Sequence, residues 1–367
     1  MNDELHKIAA AFDIEGHCTE IELLKRGHIN DTYISTWVDS EHKNYIHQKI
    51  NSNVFKDISG LTQNVVRVTE HIRSKLSLAE DSVFDTTLRL IPVKNDDWIF
   101  KSADGGFWRT YEYIENSTSY YVCQGAGQAN EAAKTCGRFQ NYIVDLDPSD
   151  FNITIPRFHD SIYRYESLDS AIKLDSAERV NLVGKEIEFA KQRFDEAGIV
   201  MKALETGKIP WRVTHNDLKF NNVLFDLTSK RGLAVVDLDT CMPGSVLFDF
   251  GDLARNTSVP ADEDEADLSK VYMDLDYYRS LAEGYFGEIG RWLQIGEWEL
   301  AAQSPKLLTL TLGVRFLTDF LSGDKYFKVD YPEHNLVRAR NQFKIVSSME
   351  EQINEMESVI NEIRSNF

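Results

Sequence analysis

Apolar and polar positions alternate along residues 20–50, where EIELLKRGHINDTYISTW and NYIHQKI flank the polar turn VDSEHK. A period of two predicts half-buried strands. Residues 58–77 switch to helical spacing, with Leu61, Val65, Val68, Ile72 and Leu76 on one face. Strand-like runs return at 86–93 and 97–115, the second interrupted by the Asp-Gly-Gly of a hairpin turn. Residues 1–115 therefore predict a mainly antiparallel sheet with one long helix. The rest reads as mostly helical. One long helix is expected near 179–205, on Val183, Ile187, Ala190 and Phe194, with more over 268–323 and 333–365. Two short strands, 223–226 and 233–237, are the only ones expected in this second part.

Composition narrows the class. A chain of 367 residues with 42% hydrophobic and 27% charged side chains is globular, and long enough for two domains. Its formal charge of −19 would repel phosphate backbones and anionic lipid, which sets aside nucleic acid and membrane as partners. Four scattered cysteines read as reduced thiols. No apolar window approaches the ~20 residues of a membrane span. The start, MNDELHKIAAAF, lacks a signal peptide's basic segment and long apolar core. A cytoplasmic protein is expected. The acidic run ADEDEAD, 261–267, reads as a solvated loop.

The candidate chemistry sits in THNDLKFNNVLF, residues 214–225. Asp217 and Asn222 lie in a polar loop just ahead of a short hairpin, and Asp237 ends the returning strand. Asp and Asn oxygens are donors that Mg²⁺ takes, with phosphate and water completing the shell. Asn222 and Asp237 in that role leave Asp217 to accept a proton from a hydroxyl attacking a γ-phosphate. Lys219 would neutralise charge on the transferred group. His215 reads as an organiser of the loop. Asp239, two residues beyond Asp237, is either a second metal ligand or an orienting group for Arg and His neighbours.

HNDLKFNN followed by VVDLD resembles the catalytic loop and metal-binding aspartate of protein kinases. It is closer to the aminoglycoside and choline kinase-type phosphotransferases. RGHINDTY, VVDLDTCMPGSVLFDFGDLAR, RFLTDFLSGDKYF and YPEHNLVRARNQ extend the likeness, in order, to the N-acetylhexosamine 1-kinases of that family. The resemblance implies a bilobal, protein kinase-like α+β fold. A small antiparallel-sheet lobe would occupy residues 1–115 and a larger helical lobe residues 116–367. It also implies ATP as co-substrate, Mg²⁺, and a sugar as acceptor. A cationic acceptor such as choline or an aminoglycoside, or a catalytically dead scaffold, are the alternatives.

In such a fold the nucleotide would lie against the turn Gly27–Asp31, with Gly27, Asn30 and Thr32 as contacts. Lys49 would be the strand cation, although Asn64 stands where a kinase places the partner glutamate, and Glu70 lies too far along. Backbone groups of Glu112–Ile114 would face the adenine. On the acceptor side Arg315 stands out as the lone charge in LLTLTLGVRFLT. A guanidinium there needs acceptors: either Asp319, four residues on, or the substrate. The resemblance adds Tyr326 and His28 as substrate contacts. It also marks a departure, because Arg255 is followed by Asn256 where the hexosamine kinases carry an aromatic. Finally, Val346, Met349, Ile353, Met356, Ile360 and Ile363 recur at three and four. The seam predicts a terminal helix packed on its own lobe and a monomer, with a dimer seam as the alternative.

Overall fold

A computed structural model describes residues 2–24, 29–78 and 87–367. Two compact units emerge, and neither is continuous in sequence. The first takes residues 1–118, 142–156 and 224–243; the second takes 119–141, 157–223 and 244–367.

The first unit begins with helix α1 (Asn2–Ala9) and strands β1 (His17–Leu24), β2 (Asp31–Val38) and β3 (Asn44–Ile50). Helix α2 (Ile58–Leu78) follows, then β4 (Leu90–Ile91), β5 (Phe100–Lys101) and β6 (Phe107–Glu112). The strands pair antiparallel in the order β1-β2-β3-β6-β4, with β5 also on β6. The β5–β6 turn is closed by Asp104, which accepts from the Gly106 N–H at 3.0 Å, while Gly105 sits at φ +83°. That φ is the left-handed region glycine enters without a Cβ penalty. One face of the sheet buries Trp37, Tyr45 and Trp108 with Ile8 and Phe12. Leu61, Val65, Val68, Ile72 and Leu76 of α2 are all buried, as their spacing predicts. The expected strand at 86–93 shortens to Leu90–Ile91, and residues 79–86 lie outside the described set. Strands Val223–Asp226 and Gly232–Val235 form the second hairpin.

The second unit is helical. Its core gathers Leu310, Val314, Leu317 and Phe320 of helix Ser304–Leu321 with Leu336, Phe343 and Val346 of helix His334–Glu351 and with Tyr165 and Leu168. The long helix expected near 179–205 is instead three short ones, Gly184–Lys191, Phe194–Ala197 and Ile199–Glu205. The last break falls at Gly198, where an added Cβ would stand 2.9 Å from Ile162 Cδ1. A strand at Arg212–Thr214 was not anticipated. The carboxy-terminal seam is divided at Gln352 into two helices, His334–Glu351 and Ile353–Arg364. Val346, Met349, Met356, Ile360 and Ile363 are all buried. The seam therefore faces into its own unit.

Candidate functional site

In the second unit, Asp249 on helix Val246–Thr257 organises the loop 214–222. Its carboxylate accepts from the backbone N–H of His215 at 2.9 Å and of Asn216 at 2.6 Å, and from the Gln140 amide. Burial pushes this carboxyl up to about 6, against the pull of His215 and those N–H groups. Asn216 takes φ +65°, and its side chain bonds back to Thr214. A Cβ at Gly244 would stand 2.2 Å from the Asn216 Oδ1, so only glycine fits there. The Asp217 N–H then donates to His215 Nδ1 at 3.2 Å, and Asn222 Nδ2 donates to the Asp217 carbonyl at 2.8 Å.

Lys219 Nζ lies 2.6 Å from Asp217 Oδ1. Burial works against ionisation of Asp217, but Lys219 holds its carboxyl below the ordinary range. Burial likewise disfavours the Lys219 charge, yet Asp217 and Asp252 raise its pKa. Asp252 in turn binds Arg255 at 2.6 Å, and Arg255 reaches Glu263 at 2.8 Å. The acidic run is therefore docked: Glu263 meets Arg255, and Asp264 meets His334 at 3.1 Å. Asn256 serves the loop directly, its Oδ1 accepting from the Phe220 N–H at 3.2 Å. The Asn222 NH₂ donates to the Asp217 carbonyl, so its amide oxygen is the atom that could hold a cation.

Next to the loop, a cavity of about 200 Å³ is lined by Arg164, Ser167, Arg315, Thr318, Asp319 and Tyr326, among others. Phe158 and His159 join it to the loop. Arg315 lies 5.6 Å over the Phe158 ring, and His159 Nε2 meets the Asn216 carbonyl at 2.7 Å. Asp319 is not the partner of Arg315. Its carboxylate accepts from the N–H groups of Lys325, Tyr326 and Phe327 and from Asn335 Nδ2, all within 2.8–2.9 Å. Among the described residues, the polar contact of Arg315 is the Tyr326 hydroxyl at 3.5 Å. Arg164 donates to the carbonyls of Phe158 and Arg157, and its buried Nε meets no acceptor among the described residues. Burial, and then the neighbouring Arg315 charge, lower the Arg164 pKa to about 10.

The first unit holds the other candidates. Gly27 and His28 lie outside the described residues. Asp237 is exposed and takes φ +63°, ψ 55°, just before a short turn over Leu238–Thr240. Asp239 is buried; its Oδ1 lies 2.5 Å from Arg109 Nη1 and its Oδ2 accepts from Asn30 Nδ2 at 2.7 Å. Arg109 also donates to Gln48 Oε1 at 3.1 and 2.8 Å, and Thr32 Oγ1 accepts from Gln48 at 3.2 Å. Cross-strand partners share a face. Arg109 is opposite Gln48, while Lys49 is opposite Trp108. Lys49 therefore projects from the face away from Asp239, where it pairs with Asp104 at 2.7 Å near the rim. Asn64, buried on α2, donates to the carbonyls of Asn152 and Cys241 at 2.8 and 2.9 Å. At the expected hinge, the Glu112 N–H donates to the Arg89 carbonyl, and its side chain pairs with Arg89 and His42. The Ile114 carbonyl accepts from Ser117. Sequence reasoning missed Arg109, although a charge amid the apolar FWRTYE was the available signal.

Solved structures similar to this chain include small-molecule kinases. A microcompartment-associated aminopropanol kinase is similar at 15% identity, with 96% of this chain and 98% of that one covered and a TM-score of 0.61. A spectinomycin phosphotransferase in complex with ADP and spectinomycin follows at 12% identity, 96% and 99% coverage, and a TM-score of 0.58. A choline kinase from Cryptosporidium parvum matches at 15%, 94% and 92%, with a TM-score of 0.52. At such identities the likeness is one of fold, and that fold is the protein kinase-like α+β fold. The family profile of the phosphotransferase enzyme family matches residues 99–283, just over half of the chain. The chain belongs to that family.

Proposed function

We propose that the protein is an ATP- and Mg²⁺-dependent kinase that phosphorylates the anomeric hydroxyl of an N-acetylhexosamine, releasing the sugar 1-phosphate and ADP. The observation that carries this reading is the pair of guanidiniums, Arg164 and Arg315, in the cavity beside the Asp217 loop. Two cations there disfavour choline, an aminopropanol or an aminoglycoside, and suit a neutral acceptor rich in hydroxyl oxygens. Arg315 and Tyr326 are the proposed sugar contacts.

Asp217 accepts the proton of the anomeric hydroxyl as its oxygen attacks the γ-phosphorus. That hydroxyl is more acidic than an ordinary alcohol, so a carboxylate kept ionised by Lys219 suffices as base. Lys219 then offers its charge to the transferred phosphoryl group. Asn222 and Asp237 offer hard oxygen donors and are the residues that would hold Mg²⁺, which when bound neutralises phosphate charge. Asn30 and Thr32 are proposed on the nucleotide side.

The test is ADP release from ATP against free N-acetylglucosamine, N-acetylgalactosamine, other sugars, choline, aminopropanol and aminoglycosides, with phosphorus NMR of the product. Turnover of an N-acetylhexosamine to a 1-phosphate is expected. Turnover confined to cationic acceptors would overturn the sugar assignment, and no turnover with any acceptor would favour a dead scaffold.

A further inference from the structure

The pairing of Arg109 with Asp239 has a consequence for Asp237. A guanidinium in the middle of a strand is tolerated inside a protein only when its donors are taken up. Arg109 is 1% exposed and stacks 5.2 Å from Tyr111. Its donors reach Gln48 and Asp239, and Asp239 is 2% exposed. Asp239 is ion-paired with Arg109 through Oδ1, and its Oδ2 accepts from Asn30. Asn30 is held in turn, its Oδ1 accepting from the Asn51 N–H at 3.0 Å. For Asp239 to ligate a metal, a buried ion pair would have to open.

Asp237, two residues earlier, is exposed, and its backbone occupies the left-handed region at φ +63°. That conformation costs a non-glycine residue about 1–2 kcal/mol and persists only where the surroundings enforce it. The turn is fastened at two points beyond it, Asp239 by Arg109 and the Cys241 carbonyl by Asn64. Lys49 cannot help, because it projects from the other face of the sheet.

We propose that Arg109 and Asp239 form a positioning clasp that fixes the strained turn of Asp237 for metal–nucleotide binding, and that Asp239 is not itself a metal ligand. The assignment rests on the kinase reading above. Groups that orient a metal ligand without touching the metal commonly cost 10–100-fold in metal affinity when lost.

Removing one partner of the pair would leave a buried unpaired charge, so the pair is replaced as a whole by Arg109→Met with Asp239→Leu, a change that buried ion pairs often tolerate. Asp239→Asn, which keeps an acceptor oxygen for Arg109, and Asp237→Asn are made alongside. Calorimetric titration with ADP, with and without Mg²⁺, reads the gain in affinity that Mg²⁺ confers. The expected result is a gain reduced about tenfold or more in the double variant, with Mg²⁺-free affinity retained. Asp239→Asn, which keeps an acceptor for Arg109 but not the charge, should lose clearly less of the gain than Asp237→Asn, which should lose it. A double variant with the full wild-type gain would make the clasp purely structural. Equal losses in Asp239→Asn and Asp237→Asn would make Asp239 a ligand; that comparison stands even if the double variant fails to fold. Wild-type ADP affinity indifferent to Mg²⁺ would sink the kinase reading and the clasp together, whereas a wild-type response that survives in the double variant sinks the clasp alone.

Discussion

Asp217 is a carboxylate that its own burial would neutralise. Lys219, 2.6 Å away, keeps it ionised. Asp217→Asn should preserve the fold, because Asn222 binds the residue-217 carbonyl rather than its side chain, and Asp252 still faces Lys219. ADP affinity should hold while kcat falls by about 10²–10⁴-fold. A variant that keeps a tenth of wild-type kcat would place the base elsewhere. The second residue-scale prediction is Arg315→Met. With Asp319 committed to backbone N–H groups, no buried partner loses its charge, so stability should stay within about 0.5 kcal/mol of wild type. The acceptor KM should rise strongly and ATP affinity should not change. A large loss of thermal stability at constant KM would return Arg315 to a structural role. The Asp217 loop was legible because its residues are contiguous in THNDLKFNNVLF. Arg109 was not, because its partners Gln48 and Asp239 are distant in sequence and meet it only through strand register and a turn.

At the scale of elements, Asp319 shows what sequence spacing conceals. An aspartate four residues after an arginine on one helix reads as an ion pair. Here the carboxylate caps the segment that follows instead, taking three successive N–H groups and Asn335. Those partners are backbone atoms, which carry no signal in side-chain identity. Asp319→Ala should therefore cost on the order of 2–4 kcal/mol, since it strands several donors, and should loosen the segment carrying Tyr326. Denaturant unfolding of Asp319→Ala, Arg315→Met and the double variant decides the point. Additive costs fit the capping role; a coupling above about 1 kcal/mol would show that the two side chains act as a pair. Periodicity located α2 and the Val223–Val235 hairpin because those elements bury one regular face. It failed near 198, where a glycine packed on Ile162 breaks an otherwise helical pattern.

Across the whole molecule, the chain enters the first unit three times. That division was invisible to a reading that cut the sequence once. Acid stability is a property of both units together. His47 bridges Ser35 and Thr110 in the first unit, and burial lowers its pKa to about 3. His159 binds the Asn216 carbonyl in the second, and burial lowers its pKa to about 4. Both rings stay neutral when folded and titrate near 6.5 when unfolded. Between about pH 4 and 6.5 the unfolded chain binds protons that the folded chain refuses, so stability falls as pH falls. Asp249 acts in the other direction. Burial raises its carboxyl to about 6, so the folded chain binds a proton below that pH that an unfolded aspartate takes only near 3.8. Asp145, which burial pushes up but Lys75 and His71 hold at about 2, stays ionised throughout this window. Two histidines outweigh one aspartate, so these groups should remove roughly 2 kcal/mol of stability between pH 7 and pH 5. Urea midpoints at the two pH values measure the loss. His47→Gln, which keeps a donor and an acceptor for Ser35 and Thr110, should remove most of the dependence, because Asp249 offsets most of what His159 still contributes. Stability that is flat or rising from pH 7 to pH 5 would mean that the buried rings do not control the acid response.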